Sequence, residues 1–419
     1  MNYRILVFLS LLLMAEVYGF IALRYYTANS SPFIRNGFQI AYVVFFFVLL
    51  FSFLSFKSLL ADDKYRIFRL IMTGVFFVSF ASKLMVSIFM LLDDILRFGK
   101  WLVSFVVPKT NTVQAVTQTV SEGITRNEFL VNTALGSGVL LAGTLSFGII
   151  SGAHDYRVRK RTITLPNLPK SFDGITMVQL SDIHSGSFYN KVAVTGGIEM
   201  ALAQKPDLIV FTGDLVNDRA DEMKGWADVF AKLKAPLGVY STLGNHDYGD
   251  YTSWPNEQAK IQNLKDLMAV HKHMGWDLLM NENRIFTESG DKIALVGVEN
   301  FGAKGQFIRK GRLDLAVKNT DEASAKILLS HDPSHWDFEV NKKYKDVDLM
   351  LSGHTHGMQF GIEIGDFRWS PVSMMYEQWA DLHKKENQYL YVNRGFGFIG
   401  FPGRVGILPE ITVLTLKSA

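Results

Sequence analysis

The sequence contains no cysteine among its 419 residues. This absence excludes disulfide bonds, thiolate metal ligands and cysteine nucleophiles, and it leaves the redox environment of the protein undetermined. The chain also lacks internal repeats, low-complexity tracts and the basic face that is typical of nucleic-acid-binding proteins. We therefore expect no nucleic-acid partner, and nothing in the sequence indicates an oligomeric state.

Charged residues are scarce and unevenly distributed. Only 20% of the residues are charged, 48% are hydrophobic, and the mean hydropathy of +0.13 is high for a purely soluble protein. Residues 1–161 carry 16 Lys and Arg against 8 Asp and Glu, whereas the remainder carries 27 against 32. The basic part of the chain is also the most apolar part, which indicates a membrane region followed by an ordinary soluble domain.

Four apolar runs are candidates for transmembrane helices. The first three are long enough to cross a bilayer, and the fourth is rich in small residues that allow helices to pack closely in lipid. The runs are Ile5–Leu23, Gly37–Phe56, Ile67–Leu92 and Phe129–Ile150. Segment 93–127 is predicted to be a loop, with an interfacial helix at Ile95–Val107 as an option.

Basic residues near the ends of these runs predict the orientation in the membrane. The sequence HDYRVRKR follows the fourth run, and such a cluster favours the cytoplasmic side. We therefore expect an integral protein of the inner (cytoplasmic) membrane with a cytoplasmic catalytic domain. Glu16 and Lys83 lie within predicted spans, where they form either a functional site or a packing pair inside the bundle.

The pattern changes at about Thr162 to short apolar runs that alternate with amphipathic segments, which is typical of an α/β fold. The predicted organisation is a transmembrane region at 1–150, a basic linker with an entry strand at 151–172, and a catalytic domain at 173–419. Predicted strands are Ile175–Leu180, Leu208–Phe211, Gly238–Leu243, Ile293–Val298, Lys326–Leu329, Asp348–Leu351, Tyr389–Val392 and Ile411–Leu416. Predicted helices are Lys191–Gln204, Glu222–Lys232, Glu257–Met274 and Gly311–Val317.

Five of the predicted strands end in the same way. The chain reads VQLSDIH, VFTGD, STLGNHD, LLSHD and LSGHTH, each an apolar strand, a small residue and then a side chain able to bind a metal. Ligands of open α/β sheets bind at the carboxyl ends of strands, so we expect these side chains to converge. Oxygen and imidazole ligands suit Mn²⁺, Fe or Zn²⁺, and the set is large enough for two ions that share a carboxylate. The set is Asp182, His184, Asp214, Asn245, His246, His331, His354 and His356.

The motif order D-x-H, G-D, G-N-H-D, H and G-H-x-H resembles that of the calcineurin-like metallophosphoesterases. The motifs HDPSHWD, GHTHGMQF, VNRGFG and PEITVLTL make the chain similar, more narrowly, to the bacterial membrane-anchored branch of this family. The resemblance covers about Tyr156 to Leu416. It implies an αββα sandwich, with two β-sheets flanked by helices, behind a bundle of about four transmembrane helices. It also implies a hydrolase of phosphoric esters that uses two divalent metal ions.

The resemblance implies a role for each matching residue. Asp214 would bridge the two ions, and His246 would contact the phosphate or protonate the leaving oxygen instead of binding metal. The first ion would be held by Asp182, His184 and His356, and the second by Asn245, His331 and His354. Two such ions, about 3.5–4 Å apart, clamp a phosphate and lower the pKa of a bridging water.

The run Gly213–Arg219 departs from the protein-phosphatase branch of the family. Asn217 stands where that branch has an aspartate, so its side chain cannot act as the carboxylate partner of His246. The arginine at position 219 is displaced by one residue from the phosphate-binding arginine of that branch. Both departures argue against a protein phosphatase.

Several residues outside the metal motifs have two interpretations. Arg394 and Asn393 are candidates for substrate binding, although a structural ion pair would also explain Arg394. His335 either supports His331 or begins a helix. The motif FGFIGFPGR at 396–404 either enters lipid through its aromatic residues or packs in the core as a Gly-rich hairpin. Three histidines stand outside every motif and are predicted to lie on the surface: His271, His273 and His383.

The sequence therefore predicts a membrane-anchored phosphoesterase with two metal ions. We expect it to hydrolyse a phosphodiester or pyrophosphate bond of a lipid-linked substrate by attack of a metal-bridged hydroxide. Tethering favours substrates that already lie in the membrane, because it raises their effective concentration. The alternatives are a phosphodiesterase for a soluble nucleotide-type substrate, and a membrane-bound regulatory sensor with the same fold.

Overall fold

Long apolar helices form the N-terminal part of the chain. The computed structural model describes residues 3–55, 65–106 and 126–419. The helices are α1 (Tyr3–Tyr26), α2 (Pro32–Ser55), α3 (Arg66–Val106) and α4 (Arg126–Ile150). Within the described ranges, four helices are long and apolar enough to cross a membrane. The predicted set of about four transmembrane helices is therefore confirmed.

Helix α3 is longer than the third predicted span. It continues without a break for 41 residues to Val106, so the prediction of a loop beginning at residue 93 is wrong as far as residue 106. The predicted interfacial helix, as far as residue 106, is the end of α3. Residues 107–125 lie outside the described part of the chain. Arg97 pairs with Asp93 one turn earlier at 2.6 Å, so these charges support the helix instead of ending it.

The two charged residues of the predicted spans contact each other. Lys83 Nζ donates to both carboxylate oxygens of Glu16 at 2.8 Å. An unpaired charge at membrane depth is costly, and each of these groups satisfies the other. The contact supports the interpretation of a packing pair within the helical unit.

The chain divides into two units, Met1–Phe147 and Gly148–Ala419, and the second contains two six-stranded sheets. The predicted domain boundaries remain a prediction. In sheet order, the first sheet contains β1 (Arg157–Leu165), β14 (Glu410–Ser418), β2 (Thr176–Leu180), β3 (Leu208–Phe211), β4 (Val239–Ser241) and β5 (Asp277–Leu278). The second contains β12 (Asp381–Lys385), β13 (Gln388–Val392), β9 (Leu349–Ser352), β8 (Ala325–Leu329), β7 (Asp291–Gly297) and β6 (Glu282–Glu288). A separate two-stranded ribbon pairs β10 (Ile362–Ile364) with β11 (Phe367–Trp369).

The main hydrophobic core lies between the two sheets. Met177 and Leu414 of the first sheet belong to the same buried cluster as Leu295, Ile327 and Leu351 of the second. The segments that connect the strands include α5 (Lys191–Leu202), α6 (Ala227–Phe230), α7 (Glu257–Met274), α8 (Leu313–Ala316) and α9 (Asn341–Lys343). A second buried cluster on the other face of β7, β8 and β9 includes residues of α8. This arrangement, together with the helices that precede it, confirms the predicted αββα fold class.

All eight predicted strands are present, with ends displaced by two residues at most. Helix α7 has its predicted bounds, α5 is two residues shorter than predicted, and α8 keeps only the middle of its prediction. The predicted helix Glu222–Lys232 is wrong as one element. It is divided into a turn at Ala220–Met223 and α6. Gly225 lies between them, and its φ of +81° is left-handed and interrupts the helix.

Candidate metal centre

Five parallel strands carry the predicted ligands to one edge of the sandwich. Strands β2, β3 and β4 run parallel in the first sheet, as do β8 and β9 in the second. Each predicted ligand follows the carboxyl end of one of these strands within four residues. Parallel strands end at the same edge of a sheet, which is why motifs far apart in the sequence meet here. Glycines leave space for the carboxylates, since a Cβ at Gly353 would overlap the carboxylate of Asp182.

The first group of ligands consists of Asp182, His184 and His356, all buried. His356 Nε2 lies 3.0 Å from His184 Nε2 and 3.1 Å from Asp182 Oδ1. Two ring nitrogens and a carboxylate oxygen therefore point at one another. A divalent cation coordinated by these three atoms would satisfy all of them, so the residues fit a metal.

The second group consists of Asp214, His331 and His354, with Asn245 beside it. His331 Nε2 lies 3.1 Å from Asp214 Oδ2, and His354 Nδ1 lies 2.8 Å from Asn245 Oδ1. Asp214 Oδ2 is also 3.5 Å from Nε2 of His184 in the first group. One carboxylate oxygen thus faces a histidine of each group. The structure brings all seven predicted ligands together, and their individual metal roles remain a prediction.

The ionisation of the buried groups matches a cation site. Burial alone would raise the pKa of Asp182 and Asp214, but the neighbouring imidazoles of His356 and His331 outweigh it, and the pKa of each carboxyl is lowered. Burial lowers the pKa of His184 and of His354. Ionised carboxylates and neutral imidazoles are the protonation states that metal ligation requires, and His184 and His354 match them, whereas Asp214 raises the pKa of His331 to about 10 against the effect of burial.

The backbone at the site is strained. Five of the seven predicted ligands have a positive φ, which is uncommon for residues other than glycine and costs about 1–3 kcal/mol at each position. The values are 52° for Asp182, 50° for His184, 62° for Asp214, 72° for His354 and 50° for His356. Strain concentrated at one site is typical of a functional centre. Here it lets side chains from successive loops turn toward the same point.

A buried carboxylate that the sequence analysis did not single out holds part of this backbone. Asp247 accepts hydrogen bonds from the main-chain N–H groups of Gly244 at 2.8 Å, Asp214 at 2.9 Å and Leu215 at 2.8 Å. Burial and the nearby charge of Asp214 raise the pKa of Asp247 to about 7. Asp247 therefore fixes the loop of Asp214 against the loop that carries Asn245 and His246.

His246 lies beside both groups without joining either of them. Its Nδ1 lies 2.7 Å from the main-chain oxygen of Asn217, which can only accept, so Nδ1 carries the proton. The carboxylate partner that the sequence lacks at position 217 is thus replaced by the carbonyl of the same residue. The ring contacts His184 and Tyr251, with centroids 5.0 and 4.5 Å away. Nε2 is the atom that remains for a proton to be given or taken.

Two tyrosines orient ligand side chains from outside the motifs. Tyr376 Oη lies 3.0 Å from His354 Nε2, and the amide of Asn245 donates to Tyr251 Oη at 2.9 Å. Outer partners of this kind fix the ring and amide orientation of metal ligands. Neither tyrosine stands at a spacing that would have revealed it from the sequence.

The two candidates for substrate binding are buried and engaged elsewhere. Arg394 donates to Glu410 and to Glu363 at 2.7 Å each. Asn393 Nδ2 donates to Thr412 Oγ1 at 2.8 Å. These contacts favour the structural ion pair as the role of Arg394, and a substrate role for either residue remains a prediction.

The motif FGFIGFPGR packs into the domain, and its interpretation as a lipid-entering loop is wrong for two of its aromatic residues. Phe396 and Phe398 are fully buried, and Phe396 stacks on Tyr156 with centroids 4.3 Å apart. Arg404 is buried as well, and it donates to the carbonyl oxygens of Arg394 at 2.8 Å and Gly397 at 2.6 Å. Burial lowers its pKa to about 10, so it remains a cation near neutral pH.

The histidines outside the motifs differ from one another. The prediction of a surface position is wrong for His271, which is fully buried in α7 with Nδ1 2.9 Å from Ser241 Oγ. His273 is exposed, and His383 is half-buried beside the carbonyl of Ala380. His335 precedes the helical turn Trp336–Val340 and contacts Ser330 and Glu339, which favours the helix-start role over support of His331.

Comparison with protein families gives two matches along the chain. The family described as Calcineurin-like phosphoesterase matches residues 175–358, which include all seven predicted ligands. The family described as Probable Calcineurin-like phosphoesterase, transmembrane domain, matches residues 2–153. The two matches together cover both the apolar helices and the ligand motifs.

Individual relatives are described as metallophosphoesterases or as carrying a metallophosphoesterase domain. A protein of Danio rerio described as a transmembrane protein with metallophosphoesterase domain is 29% identical over 67% of this chain and 62% of its own length. The metallophosphoesterase YkuE of Bacillus subtilis is 29% identical over 70% of this chain and 98% of its own length. The metallophosphoesterase Cj0846 of Campylobacter jejuni is 30% identical over 62% of this chain and 63% of its own length. The chain thus spans less than two thirds of the first and third of these relatives.

The contact between Tyr376 and His354 leads to a testable expectation. Tyr376→Phe removes only the hydroxyl, so the fold should be retained while His354 loses the partner that orients its ring. We expect affinity for one of two bound divalent ions to fall about 10–100-fold, measured by calorimetric titration of the metal-free protein with Mn²⁺. Tyr344→Phe is the matched control, because this half-buried tyrosine packs against the second buried cluster, on the face of β7, β8 and β9 that is turned away from the main core. Equal affinities in the two variants would show that Tyr376 does not orient a ligand.

Proposed function

We propose that this chain, which belongs to the calcineurin-like metallophosphoesterases, is a membrane-anchored hydrolase that cleaves a phosphodiester or pyrophosphate bond of a lipid-linked substrate. The observation that carries the proposal is the position of Asp214. Its Oδ2 lies 3.5 Å from Nε2 of His184 and 3.1 Å from Nε2 of His331, one histidine from each ligand group. A shared carboxylate between two such groups is the arrangement that supports a pair of divalent ions.

The proposed chemistry divides the work among the residues of the site. Two divalent ions, of Mn, Fe or Zn, would activate water and neutralise the charge of the phosphate. Asp182, His184 and His356 would hold one ion and Asn245, His331 and His354 the other, with Asp214 shared. His246, with its proton on Nδ1 held by the carbonyl of Asn217, would use Nε2 to contact the phosphate or to protonate the leaving oxygen.

Support for a lipid-linked substrate comes from the membrane region. The four apolar helices tether the domain to the bilayer, and tethering raises the effective concentration of substrates in the same membrane. We place the domain on the cytoplasmic face of the inner membrane, because four basic residues follow the fourth helix within the span Arg157–Arg161. A soluble substrate of the nucleotide type would gain nothing from this arrangement. A regulatory sensor would not need the complete ligand set that is present.

The shared carboxylate can be tested directly. Asp214→Asn keeps the shape of the side chain but removes the charge, so both ions should lose affinity and turnover should be abolished. The measurement is metal content after dialysis, together with activity on a nitrophenyl phosphodiester. Asp348→Asn is the control, since Asp348 is a buried carboxylate at the amino end of β9, away from the ligands. Two tightly bound ions and ordinary turnover in Asp214→Asn would refute the shared role.

His246→Ala should have a different effect. The metals should stay bound, because His246 joins neither ligand group, while the rate should fall by roughly 10²–10⁴, the usual contribution of a positioned acid. The loss should shrink for nitrophenolate, a leaving group that needs no proton. The exposed His273→Ala serves as the control. An equal loss for good and poor leaving groups would assign His246 to phosphate stabilisation, and an unchanged rate would exclude both roles.

The substrate class can be tested with the full-length protein in vesicles. We expect the protein to hydrolyse phospholipid and nucleotide-lipid diesters or pyrophosphates. The rate should depend on the mole fraction of these lipids in the vesicle surface, because the enzyme would meet its substrate in the membrane. The same preparation is assayed on soluble cyclic and open-chain nucleotide diesters. Higher kcat/KM for a soluble nucleotide than for every lipid-linked compound would favour the soluble alternative. Two bound ions without turnover of any compound would favour the sensor.

A further inference from the structure

The ribbon of β10 and β11 has its polar face turned inward and its apolar face turned outward. In an antiparallel pair, directly opposite residues lie on the same face. Ile362 pairs with Trp369 and Ile364 with Phe367, so these four apolar side chains share one face, and Glu363 with Arg368 form the other. A ribbon on a soluble domain normally buries its apolar face, so the orientation here is inverted.

Ion pairs fix the inward face. Glu363 accepts from Arg394 at 2.7 Å and is also paired with Arg159 of β1. Arg368 pairs with Asp381 of β12 at 2.8 Å and donates to the carbonyl of Ala380. These partners hold the polar face against the edges of both sheets. The ribbon therefore cannot turn its apolar face inward without leaving several charged groups unpaired.

The outward face is strongly exposed. The exposed fractions are 47% for Ile362, 73% for Ile364, 62% for Phe367 and 43% for Trp369. Three methionines close to the ribbon in sequence, Met358, Met374 and Met375, are also exposed. Contiguous apolar surface of this kind marks an interaction site, whereas single exposed apolar residues need no explanation.

The position of the ribbon in the domain indicates what covers it. Gly148, Ile149 and Ile150 belong to the second unit and are the last residues of α4, the fourth candidate span. The main-chain N–H of Arg404 donates to the carbonyl of Gly148 at 3.1 Å. Next to Arg404, Val405 donates to Gln359 at 2.7 Å and accepts from Gly361 at 2.9 Å, directly before β10 begins. The ribbon is thus joined by backbone hydrogen bonds to the loop of Arg404 and Val405, which in turn contacts the last turn of the last apolar helix.

We propose that the outward face of β10–β11, with Ile362, Ile364, Phe367 and Trp369, docks on the lipid surface at the membrane–water interface. A helix long enough to cross the bilayer ends at the interface, so the loop that contacts its last turn lies at that depth. Tryptophan is enriched at this level of the membrane, and apolar side chains of interfacial elements enter the head-group boundary by about 5–10 Å. The proposal concerns how the domain meets the bilayer and does not depend on the identity of the substrate.

The absence of cysteine makes the proposal directly testable in the full-length protein, because an introduced thiol is the only one. Ile364→Cys is labelled with an environment-sensitive fluorophore, and the protein is reconstituted into phosphatidylcholine–phosphatidylglycerol vesicles that contain a lipid with a nitroxide near the head group. Ile285→Cys is the matched control, an exposed isoleucine on β6 at the edge of the second sheet opposite β12. We expect several-fold stronger quenching at position 364 than at position 285, with a blue-shifted emission only at position 364.

A second variant tests the face as a whole. Phe367→Asp and Trp369→Asp, added to Ile364→Cys, place charges on the same exposed face, so the domain should keep its fold and the quenching at position 364 should fall to the level of position 285. Equal quenching at 364 and 285 in the parent protein would overturn the proposal. A blue-shifted emission that persists in detergent and rises with protein concentration would also overturn it, because the face would then be covered by a second copy of the chain.

Discussion

The site depends on the carboxylate of Asp214, which is buried between two groups of imidazoles. A buried carboxylate is costly unless it is paired, and the imidazoles of His331 and His184 lie within 3.1 and 3.5 Å of its Oδ2. A protonated imidazole supplies part of this compensation. The pKa of His331 is accordingly raised to about 10 by Asp214, against the effect of burial. Metal ions would take over this compensation and release the histidine as a neutral ligand, which links metal binding to proton release.

The strained backbone around Asp214 is held in place by the rest of the domain. Each of the five ligands with positive φ costs about 1–3 kcal/mol, so the surrounding structure must over-determine these conformations. The two sheets provide the rigid frame, because their strands end directly before the strained residues. Asp247 and Arg404 act locally. Asp247 accepts hydrogen bonds from the main-chain N–H groups of Gly244, Asp214 and Leu215. Arg404 donates to main-chain carbonyls of the loop that follows β13. One buried anion therefore holds the loops of Asp214 and Asn245, and one buried cation holds the loop after β13 beside His356.

Sequence reasoning succeeded where the residue types and the spacing of apolar residues are sufficient to predict an element. An apolar run followed by glycine or serine and a candidate ligand predicts a strand with that side chain at its carboxyl end, and the structure has this arrangement at β2, β3, β4, β8 and β9. It failed where the outcome depends on tertiary partners. Tyr376 and Tyr251 reach the ligands from loops whose spacing carries no signal.

The failed predictions about exposure have the same origin. FGFIGFPGR has the composition of either a surface loop or a core hairpin, and neighbours that are distant in sequence, among them Tyr156 and Phe188, decide that Phe396 and Phe398 are buried. No element was predicted for IEIGDFRW, and its alternation would not reveal which face of the ribbon is outward. That choice is made by Arg159, Arg394 and Asp381, which are distant in sequence.

The inverted ribbon also connects the membrane with the chemistry of the proposed site. Met358 follows the ligand His356 by two residues, and Met375 precedes Tyr376, whose hydroxyl contacts the ligand His354. The exposed methionines therefore lie two residues from one predicted metal ligand and next to a tyrosine that contacts another. A substrate with an apolar tail and a phosphate group could occupy both environments at once, with its tail in the lipid under the ribbon. The phosphate of such a substrate would reach the site without leaving the interface. Extraction of the tail into water costs about 0.8 kcal/mol for each CH₂. This cost would therefore not add to the activation barrier of hydrolysis.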